Sequence, residues 1–196
     1  MALSRSQERV LIEQAAAGDR AAAAMIITSY QQSLYAYLLR LTGRPDVAED
    51  ISQDAFVRVL SNLDRFDPRY RFSTWLFTIA RRLWMNACQK HKPVYDTDMV
   101  SSRKGNADLP ESPVVGAEVN DNARDLLQRA LMHLDERQRE VVILFHQMDW
   151  PIAIIARHMG MPEGTVKSHL HRGRRRLRVL LDSEESSVQR VGEVWS

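Results

Sequence analysis

Two apolar-periodic segments meet at Gly160-Met161-Pro162, and that break constrains the fold more than any other feature of the chain. Before it, Pro151-Ile-Ala-Ile-Ile-Ala-Arg-His-Met-Gly160 reads as a short helix. Pro151 suits the first turn, where a missing N–H costs nothing. Gly160 allows the left-handed backbone that ends the helix. After the break, Pro162 starts a second helix through Glu163–Arg178. At about 100° per residue, Val166, Leu170, Gly173 and Leu177 fall on one narrow face. Lys167, Ser168, His171, Arg172 and Arg175 fall on the opposite face, and no acid occurs from Gly164 to Leu181. Two helices about a tight Gly-containing turn form a helix-turn-helix. A DNA major groove admits such a basic helix, with its first residues nearest the base edges. That places Lys167, Ser168, His171 and Arg172 near bases, and Arg174, Arg175, Arg176 and Arg178 near the DNA backbone.

Helical signals dominate the remainder. There is no repeated period-2 run and no Asn-Gly or Asp-Gly hairpin turn. Asp19 caps a long helix to about Leu41, and Gly43 and Pro45 stop it and set the next. A second helix is expected from about Asp46 to Leu63, and a third from Ser73 or Thr74 to about Lys90. Residues 91–120 differ in kind. Pro93, Pro110, Pro113, Gly105 and Gly116 alternate with Asp96, Asp98, Asp108, Glu111 and Glu118, without an apolar period. Such a stretch reads as an extended acidic linker. Helical pattern resumes near Asp121 and continues to Leu181, and Asp182–Ser196 reads as a frayed tail.

The excluded classes follow from what the chain lacks. Its one cysteine, Cys88, permits no intramolecular disulfide and no Cys-rich zinc cluster, and is expected as a small buried residue. The six histidines are scattered, and no Gly-rich phosphate loop occurs. No catalytic residue, metal or cofactor is therefore expected. The start Met-Ala-Leu-Ser-Arg lacks a signal peptide's basic and apolar run. The long uncharged stretch between Arg20 and Arg40 carries Thr28, Ser29, Gln31, Gln32 and Ser33 at its centre, which argues against membrane insertion. A cytoplasmic protein is the expectation.

The net charge of +2 hides a segregation between two N-terminal helices. In the helix from Asp46, Ile51, Ala55, Phe56, Val59, Leu60 and Leu63 share the buried side. Asp46, Asp50, Gln53 and Asp54 share the other, an acidic face. The stretch from Pro68 to Val94, which contains the next helix, is acid-free. Trp75, Leu76, Ile79, Leu83 and Ala87 make its buried side, and Thr78, Arg81, Arg82, Met85, Asn86 and Gln89 its exposed arc. Aromatics at this spacing are more often core, so Trp75 and Phe77 are assigned to packing. Tyr70 and Phe72 remain open candidates for stacking on unpaired bases, where π-faces and cations suit a single strand.

These residues carry a family resemblance. Gly18-Asp19, Leu34-Tyr35, Leu41-Thr42-Gly43, Ala48-Glu-Asp-Ile-Ser-Gln-Asp-Ala-Phe56, Phe66-Asp67 and Phe72-Ser-Thr-Trp-Leu-Phe-Thr-Ile-Ala80 resemble region 2 of extracytoplasmic-function sigma factors. Leu134-Asp-Glu-Arg-Gln-Arg-Glu-Val-Val142 and Gly164-Thr-Val-Lys-Ser-His-Leu-His-Arg172 resemble their region 4. The resemblance implies an all-α chain of two small helical domains joined by an extended linker. It divides into a region 2 bundle at 1–92, a linker at 93–120, a region 4 helix-turn-helix at 121–181 and a tail at 182–196. It implies a subunit that binds core RNA polymerase and directs promoter recognition. By that likeness Asp50, Gln53 and Asp54 dock on the polymerase clamp helices. Arg69, Tyr70, Phe72, Arg82, Asn86 and Lys90 meet the melted minus-ten strand. Lys167, Ser168, His171, Arg172, Arg175 and Arg176 meet the duplex minus-thirty-five element, with region 4 on the flap. An anti-sigma factor is an implied further partner. Arg82 and Asn86 stand where many members have Asn and Asp, and Ile154 is expected off the buried seam. The alternative reading is a helix-turn-helix regulator that is not a polymerase subunit.

Overall fold

The computed structural model describes residues 4–90 and 120–194, with side chains placed for 4–89 and 124–182. Eight α-helices and no strand occur among them. They are α1 (Arg5–Ala16), α2 (Arg20–Thr42), α3 (Pro45–Leu60), α4 (Phe72–Lys90), α5 (Asn120–Met132), α6 (Glu136–His146), α7 (Ile152–Met159) and α8 (Glu163–Val194). A single 3₁₀ turn, Leu63–Arg65, follows α3. The expected linker therefore falls, but for Asn120, outside the described residues. The helical path of α8 runs to Val194, so it does not stop at Leu181 as expected.

Local chemistry sets the boundaries. Asp19 accepts from the backbone N–H groups of Ala21 at 2.8 Å and Ala22 at 3.2 Å, which satisfies two otherwise orphaned donors of α2. Gly43 closes α2 with φ 69°, and a Cβ there would also lie 2.8 Å from Met132 Sδ. Both the backbone angle and the space thus call for glycine. Pro45 then opens α3 at a position where its missing N–H is harmless. α1 has a full capping box: the Ser4 hydroxyl accepts from Gln7 N, and Gln7 Oε1 accepts from Ser4 N.

α1 to α4 form the first bundle. Leu34, Leu38 and Leu41 of α2 meet Ala48, Ala55 and Val59 of α3 and Leu76, Phe77 and Ala80 of α4, all fully buried. α5 to α8 form the second. There Val141, Leu144, Ile155 and Val166 are fully buried. α8 packs on α5, α6 and α7 along the Val166–Leu170–Gly173–Leu177 seam that its periodicity set. Gly173 is needed for that approach, because a Cβ on it would stand 2.8 Å from Val142 Cγ2 and 3.5 Å from the Gln138 carbonyl oxygen. Gly173→Val is expected to cost about 1–3 kcal/mol by overpacking against a stiff β-branched neighbour. Gly164→Ala, with nothing within 4 Å of the new Cβ, should be neutral or gain up to about 1 kcal/mol. Thermal unfolding of the two variants checks the contrast.

The two bundles touch, which periodicity did not anticipate. α2 packs on α5 and α6, and α4 on α7. Arg139 ties them at helix ends. Its guanidinium donates to the carbonyls of Leu131 at 2.9 Å, Met132 at 3.1 Å and Leu134 at 3.2 Å, and to that of Leu41 in α2 at 2.8 Å. A cation at the C-terminal ends of two helices is favoured by their dipoles. Phe77 of α4 packs on Trp150, ring centroids 5.7 Å apart.

Candidate nucleic-acid interface

The helix-turn-helix geometry comes directly from its turn. Pro151 stands at the N-cap of α7, one position before the helix begins, and Gly160 ends α7 with φ 65°. The chain then re-enters a helix at Glu163. Burying Val166, Leu170 and Leu177 turns Lys167, Ser168, His171, Arg172, Arg175 and Arg176 outward together, and all six are exposed. Ser168 Oγ donates back to the Gly164 carbonyl at 2.9 Å, which leaves its oxygen free to accept. Arg174 departs from the expected backbone role. Its Nε donates to His146 Nε2 at 2.9 Å, and its guanidinium lies 4.9 Å from the Phe145 ring centroid. Burial, and then the nearby Arg174 charge, hold the His146 imidazole below its usual pKa, as an accepting neutral ring requires. Ile154 is also reassigned, since it is half-buried against the core rather than free of it.

The acidic face lies on α3. Burial of Ile51, Ala55, Phe56 and Val59 leaves Asp50, Gln53 and Asp54 exposed along one side. Asp46 is exposed too, but bonded to Arg44 at 2.5 Å, and that hydrogen bond holds its carboxyl below the usual range. Val57, 66% exposed, continues the strip one turn beyond Gln53. Charge patterning alone does not mark it. The i, i+4 spacing from Gln53 was the available signal.

The remaining candidates cluster around the start of α4. Arg69 sits on the loop before it and clasps Asp67, with Nη2 2.6 Å from Oδ2. Arg5 Nη2 donates to the Arg69 carbonyl at 3.2 Å, which anchors the loop to α1. Tyr70 is 48% exposed. Arg82 and Asn86 are exposed one turn apart on α4, and Lys90 ends the helix, its side chain outside the described residues.

Three expectations need correction. Phe72 is fully buried among Tyr30, Phe66 and Trp75, with ring centroids 5.4–5.9 Å away, so no base can reach it in this arrangement. Cys88 is exposed, because α4 is mostly in solvent from Asn86 onward. The arc expected in solvent is half covered. Arg81 Nε donates to Glu140 Oε1 of α6 at 2.7 Å, and Thr78 Oγ1 meets His158 Nδ1 of α7 at 3.0 Å. Glu140 itself is a buried carboxylate that also accepts from the Tyr37 hydroxyl at 3.0 Å. Burial first, and Glu140 second, push the Tyr37 phenol well above its usual pKa, so it stays a donor. Among the described residues, no group of three His, Cys, Asp or Glu side chains could hold a metal ion, and no helix is long and apolar enough to cross a membrane.

Comparison with known proteins gives a consistent outline. The Sigma-70 region 2 family model matches residues 26–94, and the Sigma-70, region 4 model matches residues 124–177. The chain is 34% identical over 177 residues to the ECF RNA polymerase sigma factor SigW of Bacillus subtilis, covering 85% of this chain and 92% of the relative. It is 32% identical over 154 residues to the RNA polymerase sigma factor CarQ of Myxococcus xanthus, covering 79% and 86%. Two solved structures share the fold. CnrH in complex with the cytosolic domain of CnrY gives a TM-score of 0.65 at 23% identity, over 90% of this chain and 98% of that one. The sigma factor RpoE in complex with the anti-sigma factor NepR from Bartonella quintana gives 0.62 at 24% identity, over 81% and 96%.

Proposed function

The chain belongs to the ECF RNA polymerase sigma factor family, and from that premise we propose that it binds core RNA polymerase and directs it to promoters. The observation that carries this is the form of α8. Its seam is buried, and six polar or basic side chains are turned outward from one continuous helix. In this reading residues 121–181 are the region 4 domain on duplex DNA at the minus-thirty-five element. Residues 1–92 are the region 2 domain, which docks on the polymerase through Asp50, Gln53 and Asp54. The same domain meets the melted minus-ten strand through Arg69, Tyr70, Arg82, Asn86 and Lys90. Residues 93–120 link the two domains, and 182–196 follow as a tail. The bond-forming chemistry belongs to the core enzyme, and this chain adds specificity rather than catalysis. It works where the polymerase does, in the cytoplasm. An anti-sigma factor is a proposed further partner on family membership alone.

The test separates base reading from phosphate binding. Arg172 lies early on the outward face, and a guanidinium matches guanine O6 and N7 bidentately. Arg172→Ala should cost about 1–3 kcal/mol on the preferred minus-thirty-five sequence and relax preference at one or two positions. Arg176 lies a turn further on. Arg176→Ala should weaken all duplexes alike and reduce the salt slope by about one unit. Binding of both variants over a panel of promoter mutants and salt concentrations decides between the roles. If Arg172→Ala weakens every sequence equally while Arg176→Ala changes base preference, the helix is placed wrongly in the groove.

A further inference from the structure

Helix α1 lies ahead of residues 26–94, the span matched as region 2, yet it holds the loop that presents Arg69 and Tyr70. The peptide joining those two residues is bonded at both of its polar groups. Its N–H, on Tyr70, donates to the Asp67 carbonyl at 3.1 Å, and its oxygen, on Arg69, accepts from Arg5 Nη2 at 3.2 Å. Asp67 is fixed in turn, since its carboxylate accepts from the Arg69 backbone N–H at 3.0 Å. A peptide held from both sides cannot rotate without breaking a hydrogen bond. The direction in which Tyr70 leaves the chain is therefore set in part by a residue of another helix.

The anchor itself is firm. The Ser4–Gln7 capping box starts α1, and Leu11 and Ile12 bury its apolar side. Glu8 stands three residues after Arg5, on the same face. Its carboxylate, 7% exposed, accepts from the Tyr30 hydroxyl, and the Tyr30 ring packs on Phe72, where α4 begins, with centroids 5.4 Å apart. Burial first, then the bond to Glu8, push the Tyr30 phenol above its usual pKa against the opposing charge of Arg71, so it stays a donor. α1 thus grips the loop at both ends: Arg5 at Arg69, and Glu8 through Tyr30 at Phe72. Folding stability does not account for the Arg5 bond, because both residues are exposed and water competes for each group. What the bond supplies is order in the loop before a ligand arrives.

We infer that Arg5 is a positioning residue for reading the melted strand. By fixing the Arg69–Tyr70 peptide it presents the Tyr70 ring ready to stack on an unpaired base, without touching the strand itself. The inference rests on the reading of residues 1–92 as the strand-binding domain.

The test uses the intact chain bound to core polymerase. Its probe is a fluorescent single-stranded DNA selected from a random pool by the unsubstituted complex and counter-selected against core enzyme alone. Arg5→Ala should weaken binding of that DNA about threefold to tenfold, the span expected when one more side chain must be ordered on binding. Its affinity for core polymerase should not change. Two readouts separate positioning from charge. The salt slope should stay the same, because a positioning residue neutralises no phosphate. In a Tyr70→Ala background the Arg5→Ala penalty should vanish, because residues acting through one contact are not additive. Arg9→Ala removes the same charge from an exposed site on α1 whose partner is Glu13, at 2.9 Å, and should leave strand binding unchanged. Unchanged strand binding in Arg5→Ala overturns the inference. So does a penalty that persists in full without Tyr70, a salt slope lower by about one unit, or an equal loss from Arg9→Ala. Each of those results leaves the sigma-factor reading standing. If the unsubstituted complex selects no sequence from the pool, that reading fails first and this inference with it.

Discussion

Phe72→Ala should lower folding stability by about 3–5 kcal/mol, while Tyr70→Ala should change it by no more than about 0.5 kcal/mol. The two aromatics are two residues apart, yet they belong to different surfaces. Phe72 has no exposed area and sits edge-on or tilted against Tyr30, Phe66 and Trp75. Truncation removes a large buried side chain and leaves a cavity that three rings cannot fill without moving. Each aromatic pair adds about 0.5–1.5 kcal/mol beyond its buried area. Tyr70 stands 48% exposed on the loop and gives up little packing. Its loss should appear instead in strand binding by the polymerase-bound protein, at about 1–3 kcal/mol for a stacked base. Urea unfolding followed by tryptophan fluorescence reads the first effect, since Trp75 lies 5.9 Å from Phe72. An unchanged midpoint for Phe72→Ala, with strand binding lost, would return Phe72 to the interface.

The same pair explains where periodicity informs and where it fails. Asp19, Gly43, Pro45 and Gly160 set helix ends through backbone chemistry local to each residue, and all four act in the structure near the places expected. The seam of α8 was legible for a related reason: four small or apolar residues at helical spacing leave one way to bury them. α1 lies outside the helices expected from periodicity, although Ser4-x-x-Gln7 spells its capping box. Periodicity extends α3 to Leu63, whereas it ends at Leu60 and a 3₁₀ turn follows at Leu63–Arg65. Phe72 and the arc beyond it failed differently. A helical wheel identifies which residues share a face, but not what covers that face. Arg81 meets Glu140 across 59 positions of sequence, and Tyr37 meets it across 103. No local signal encodes such a pairing. A basic arc in solvent and one held against a buried carboxylate look alike until the second bundle is in place.

Reversing Asp50 and Asp54 together to lysine should weaken binding to core polymerase by several kcal/mol, the cost of like charges juxtaposed at an interface. Every 1.4 kcal/mol is about a tenfold change in the dissociation constant. The expectation follows from how α3 divides its surface. Ile51, Ala55, Phe56 and Val59 are committed to the bundle, so the two aspartates carry no packing and the fold should survive their replacement within about 0.5 kcal/mol. What remains outside is a strip of anionic and amide groups continued by the exposed Val57. Charged surroundings with an apolar contact point resemble a polar rim around a small hydrophobic patch. Val57→Asp should therefore weaken docking by removing the apolar contact even though it adds acidic charge. Fluorescence anisotropy of labelled chain titrated with core enzyme, at several salt concentrations, measures both variants. The charge-reversal defect should shrink as salt rises, because the screening length is about 8 Å at 0.15 M. The Val57 defect should retain a salt-insensitive part. If the double reversal leaves affinity unchanged at moderate salt, the acidic face serves solubility alone, and the polymerase must be held by another surface of the chain.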